Sequence, residues 1–236
     1  MAFQRVKDFA NNRWEDLQDY MGGGLLPKVL AGGLAVYLLV SVVLGIIWSS
    51  EPDTFDVAST AAARVAEDGH PVVVGSTTTA TLIILAETLL DKPGGYIHND
   101  ILPPGVWLDN MSSWEFGVLV QVRDLARALR KDLSRVQSQS TEDRDLAIAE
   151  PQFNFDSRSW AIPSTEREYR RGISALNRYL ARLSDENKQD AQFYSRADNL
   201  RNWLSDIENR LGSLSQRLSE SVGRNQLDLG LAGDPS

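Results

Sequence analysis

Residues Val29–Trp48 read VLAGGLAVYLLVSVVLGIIW, twenty consecutive positions without a charged side chain. An α-helix rises about 1.5 Å per residue, so such a run covers the ~30 Å hydrocarbon layer of a bilayer. Leu25 and Leu26 lead into it, Pro27 suits a first helical turn, and Trp48 stands where an interfacial aromatic belongs. A cleaved signal peptide would need a shorter apolar run nearer the start and a small-residue cleavage site. Here 28 residues precede the run and Ile-Ile-Trp-Ser-Ser-Glu closes it. The expectation is an uncleaved membrane anchor over residues 25–48, with the bilayer as its first partner.

Lys and Arg set the orientation of such a span. Arg5, Lys7, Arg13 and Lys28 precede it, and the first basic residue after it is Arg64. The N-terminus is therefore expected in the cytoplasm and residues 49–236 outside it, which in a Gram-negative cell means the periplasm. Residues 1–28 hold four basic and four acidic side chains, so the net charge of −8 resides in the exported part. That acidic balance argues against a nucleic-acid partner, which needs a basic face. Zero Cys removes disulfide scaffolds, zinc–thiolate and iron–sulfur centres, and cysteine nucleophiles. Within the span, Ala31/Ala35 and Ser41/Gly45 are small residues four apart, a spacing that permits close helix–helix approach in lipid.

The chain divides into four expected parts. Residues 1–24 form a cytoplasmic amphipathic segment (Phe3, Val6, Ala10, Trp14, Leu17 and Met21 on one face) ending in a Gly22–Gly24 hinge. Residues 25–48 are the anchor, 49–223 an exported helical domain, and 224–236 a flexible tail rich in turn-formers.

In the exported part, Asp56 can cap a helix to Glu67, with Gly69 as its stop. Pro71–Val74 is a lone strand or an extended link. Thr78–Leu90 is apolar nearly all round and predicts a buried core helix. Tyr96–Asn110 is an irregular, apolar-rich loop with a Pro-Pro-Gly turn. Ser112 and Glu115 fit a capping box, opening a helix striped by Val118, Val122, Leu125, Leu129, Leu133 and Val136. Gln137–Pro163 reads as a long connection with little regular structure.

Ser164 caps the next helix, with Tyr169, Ile173, Leu176, Leu180 and Leu183 as its stripe. After the polar stretch 184–190, Asp190 can cap a last helix whose seam is Phe193, Ala197, Leu200, Leu204, Ile207, Leu211, Leu214 and Leu218. The steps of four and three follow the heptad rhythm of knobs-into-holes packing. The two stripes are out of register, which predicts a helix–turn–helix hairpin. The fold class expected is mainly α: one N-terminal transmembrane helix followed by an exported bundle of long amphipathic helices.

No catalytic constellation stands out. His98 and Asp100, with Glu87, are the best acid–base candidates, and His70 lies 28 residues from His98 without metal-ligand spacing. Gly75-Ser-Thr-Thr-Thr lacks the Lys and glycine spacing of a phosphate loop, so its hydroxyls are expected as helix caps. No cofactor and no metal is expected. The functional expectation is a membrane-anchored scaffold or partner-binding protein of the envelope. Its assembly interface is Phe193, Leu200, Leu204, Ile207, Leu211, Leu214 and Leu218, meeting a second copy or another envelope protein. An envelope enzyme using His98, Asp100 and Glu87, or a ligand-sensing bundle, is the alternative.

The stretch GGYIHNDILPPGVWLDNMSSWEFGVLVQVRDLARALR (94–130), with DAQFYSRADNLRNWL (190–204), resembles a family of bacterial inner-membrane proteins known only as a domain of unknown function, number 2333 in that series. The resemblance runs from the anchor to about Gly223. It implies an N-terminal anchor, a mostly helical exported part and further helical sequence beyond Ser236. It implies no activity, cofactor or catalytic residue.

Overall fold

The structure is a computed structural model that describes residues 25–67, 69–136, 141–185 and 190–232, with side chains described as far as Val222. The amphipathic segment 1–24 lies outside the described residues. Among those described there are seven α-helices and no strand.

Helix α1 (Leu25–Trp48) is the anchor candidate. It is the one described helix long and apolar enough to cross a membrane, and its side chains are almost all exposed. Asp56 begins α2 (Val57–Glu67) as expected: its Oδ1 accepts from the Ser59 amide at 2.8 Å and the Ser59 hydroxyl at 2.7 Å. Residues 71–74 form no strand.

Helix α3 (Ser76–Asp91) is buried because three helices cover it: α2, α4 (Asp109–Ala128) and α6 (Thr165–Leu183). Its hydroxyls turn onto the chain itself, with Ser76 bonded to Val73 and Thr79 to Gly75. Leu82, Ile83 and Leu89 meet Leu119, Val122 and Leu129 from α4 and its C-terminal π turn (Leu129–Leu133). Tyr169, Leu176 and Tyr179 of α6 close the core.

Three expectations need correction. The supposed connection 137–163 contains α5 (Leu146–Phe153), an eight-residue helix packed on α6 and α4. Asp143 starts it by accepting the Asp145 and Leu146 amides. Gly172 lets the Phe153 ring press against α6, since a Cβ there would stand 2.9 Å from it.

The expected hairpin between the last two helices is absent. Tyr169, Ile173, Leu176 and Leu180 of the α6 stripe are buried where α6 packs on α3 and α5, which leaves little of it for the last helix. Helix α7 (Ala197–Ala232) also starts later than Asp190, and its backbone stays helical past the start of the expected tail at 224–236. Phe193 is consequently not on its seam; the ring lies against Gly75, whose φ of +91° no other residue adopts cheaply.

The capping box also fails to form. Helix α4 opens three residues before Ser112, and Glu115 turns inward.

Candidate functional site

The distinctive loop between α3 and α4 is built against α1. Tyr37, Ser41, Gly45 and Trp48 are spaced by four, four and three, which places them on one helical face. Each meets the loop or is shielded. The Tyr37 hydroxyl donates to the Pro103 carbonyl at 2.8 Å. Gly45 stands against the Pro104 and Leu108 side chains, and the Trp48 indole lies on Gly94. Ser41 is the one buried residue of the helix. Asn110 reaches back to the Ser49 carbonyl. Of the four small residues singled out in the span, Ala31 and Ala35 remain open, whereas the Ser41/Gly45 face is taken by the chain's own Pro-Pro turn.

A buried ion pair supports this loop from beneath. Lys92 Nζ lies 2.6 Å from Glu115 Oε1, with side chains 1% and 0% exposed. The same carboxylate accepts the Ile97 amide at 3.0 Å and the His98 amide at 2.7 Å, while Lys92 also donates to the Gly95 carbonyl. Burial pushes the Glu115 carboxyl upward, and the ammonium and the two amides pull it back. Two left-handed glycines, Gly94 and Gly95, make the turn that brings these amides to the carboxylate.

His98 stacks on Phe116, and its Nδ1 lies 2.7 Å from the Ser112 hydroxyl. Burial lowers its proton affinity. Asp100 shifts the opposite way, raised first by burial and then by the Glu166 carboxylate. Its side chain fills the space where a Cβ on Gly105 would stand. Glu87 belongs elsewhere, facing Arg64 of α2 at 3.4 Å. The three acid–base candidates are thus not assembled: His98 is committed to α4, Asp100 to the loop and Glu87 to α2. Among the described residues no group of three His, Asp or Glu side chains is placed to hold a metal ion.

The second region of interest is α7. Its lead-in is fastened to the end of α4: the Tyr194 amide donates to Leu133, Arg196 to the Val136 carbonyl, and Asn199 to the Asp132 carbonyl. Further on, Arg210 pairs with Asp124. Between the two helices lies a groove of about 660 Å³ lined by Phe116, Val120, Trp203, Ile207 and Leu214 among others. Leu200, Leu204, Leu211, Leu214 and Leu218 are all at least half exposed, and Ile207 is half-buried.

An acidic–arginine clamp that the sequence reading missed fixes the far end of the bundle. Arg182 contacts both Asp143 and Asp145 at 2.7 Å, Arg178 donates to Asp145 at 2.8 Å, and Arg130 pairs with Glu142 and Glu150. Burial works against ionisation of Asp145, but the two guanidiniums hold its carboxyl below the usual range. Alternating Asp and Arg in the 141–145 segment was the available signal; their mates, more than thirty residues away, were not readable.

A family model described as an uncharacterized protein conserved in bacteria (DUF2333) matches residues 23–236. No curated protein matches the chain, and no solved structure does.

Proposed function

We propose, for a chain that belongs to the bacterial family DUF2333, the role of a membrane-anchored, exported scaffold that assembles with further copies of itself through α7. The observation that carries this is the open leucine seam. Leu200, Leu204, Leu211, Leu214 and Leu218 recur at heptad spacing on a 36-residue helix and remain in solvent. Burying one leucine is worth about 1.5–3 kcal/mol, so such a seam favours association.

A seam of this rhythm is best filled by a helix of the same rhythm, and a second α7 supplies one. Two copies held in one bilayer also share an orientation, which raises their effective concentration. The exposed Ala31/Ala35 edge of α1 offers a further contact inside the membrane.

The anchor is read as retained because its outer half is bound to the chain's own loop through Tyr37, Gly45 and Trp48. A leader awaiting removal gains nothing from such contacts. The Lys/Arg asymmetry supports a cytoplasmic N-terminus and a periplasmic helical domain.

Light scattering of the full chain in detergent tests assembly. The wild type is expected to be oligomeric at tens of micromolar, and Leu204→Asp with Leu211→Asp to be monomeric with an unchanged far-UV circular dichroism spectrum, since neither side chain is part of the core. A monomeric wild type would remove the proposal.

A further inference from the structure

Ile101–Leu108 reads ILPPGVWL, eight uncharged residues bracketed by Asp100 and Asp109. Ile101, Leu102, Val106 and Trp107 are more than half exposed, Leu102 at 66%. In a water-soluble body this would be an unusual concentration of bare apolar surface. We infer that this loop is inserted in the outer half of the bilayer, lying along α1, so that lipid covers it and the protein is held by a loop as well as by a helix. The inference rests on the reading of α1 as a retained membrane span.

Geometry carries it. Pro103 is tied to Tyr37, about 16 Å along the helix axis from Trp48. The 24 residues of α1 extend roughly 36 Å, some 6 Å more than the hydrocarbon layer. Even if all the excess protrudes on the outer side, Tyr37 lies about 10 Å below the hydrocarbon boundary. A loop whose tip touches that residue is therefore at membrane depth. Pro104 and Leu108 against Gly45 and Gly94 against Trp48 mark its path back to the surface.

Chemistry agrees. Non-helical backbone is best tolerated in lipid where its polar groups are satisfied, and this loop satisfies much of its own. Here Pro103 and Pro104 have no N–H to satisfy. The Leu102, Pro104 and Gly105 carbonyls accept from the Val106, Trp107 and Leu108 amides, closing a tight 3₁₀ turn, and the Pro103 carbonyl takes the Tyr37 hydroxyl. Trp107, near the return, is the residue type favoured at the interface.

A second loop lies on the same rim. Asn99, two residues before Ile101, donates to the Ser159 carbonyl at 2.9 Å, and Tyr96 donates to the Ser157 carbonyl at 3.0 Å. Beyond Ser159 come Trp160, 62% exposed, and Ile162, 93% exposed, placed to rest in the headgroup layer.

The chain contains no cysteine, so single cysteines report directly. The full-length protein carries an environment-sensitive nitrobenzoxadiazole label at Leu102→Cys or Val106→Cys. It is reconstituted in phosphatidylethanolamine–phosphatidylglycerol vesicles with or without lipid bearing a spin label in its acyl chain. Val36→Cys on α1 and Ile148→Cys on α5 serve as the membrane and water references; all four positions are exposed, so the fold is preserved. Expected are a blue-shifted emission and at least twofold quenching at 102 and 106, as at 36, and neither at 148. Quenching at 36 with water-like spectra at 102 and 106 would overturn the loop proposal while leaving the anchor standing. Blue-shifted but unquenched loop labels would mean that protein covers the loop, which also overturns it. Absence of quenching at 36 would overturn the anchor and the loop together.

Discussion

Lys92 and Glu115 join the C-terminus of α3 to the first turns of α4 through a 2.6 Å contact from which water is excluded. Removing one partner of such a pair strands a buried charge, at a cost of about 3–5 kcal/mol. Lys92→Met is therefore expected to lower unfolding stability by that amount. Glu115→Leu with Lys92→Met recovers only part of it, because the Ile97 and His98 amides lose their acceptor. Chemical denaturation of the four-member cycle checks this; a cost below about 1 kcal/mol for Lys92→Met would show that the Glu115 carboxyl is accommodated without the ammonium.

His98 supplies a pH signature. Its folded-state pKa is lowered by burial, so the unfolded chain binds the proton better. The stability it contributes is present above the ordinary histidine pKa and is lost as pH falls through the folded value. Melting temperature is expected to decline from pH 8 to pH 5, with a shallower decline in His98→Gln. Asp145 follows the same sign in a more acid window: its contribution is present above the ordinary carboxyl pKa and is lost below it. Equal pH profiles for wild type and His98→Gln would rule out the histidine as the source.

Gly75→Ala tests how α7 is fastened. The substitution places a side chain on a backbone at φ +91°, worth about 1–2 kcal/mol of strain, and drives a Cβ into the Phe193 ring. Beyond a fall in stability, amide exchange in 191–199 is expected to accelerate before that in α3. Uniform acceleration through the bundle would mean that the lead-in to α7 is not a separate unit.

The elements that could be read from sequence are those whose signals are local. Asp56 and Ser164 cap the helices they were expected to cap, and the apolar girth of Ser76–Asp91 foretold its burial. The failures are the opposite case. Ser112 and Glu115 matched a capping pattern, but a buried lysine over twenty residues upstream claimed the carboxylate. Helix α5 was hidden by its shortness, an internal Pro151 and a cap formed by an aspartate that also serves Arg182. The hairpin failed because α6 met α5, which pattern reading had not placed. The Pro-Pro loop was visible as apolar and irregular; its attachment to α1 depends on pairings of residues far apart in the chain, such as Tyr37 with Pro103 and Trp48 with Gly94.

The contacts of Trp48 with Gly94 and of Ser49 with Asn110 have a mechanical consequence. A domain on a slack leash tumbles freely above the membrane and must find its neighbour in three dimensions. This one is seated on α1, so with α1 as the proposed membrane span only lateral drift and spin about the bilayer normal would remain to it. In the proposed assembly, every copy would then present its long terminal helix at one height and one tilt, and an encounter between two of them would be a search over two spin angles.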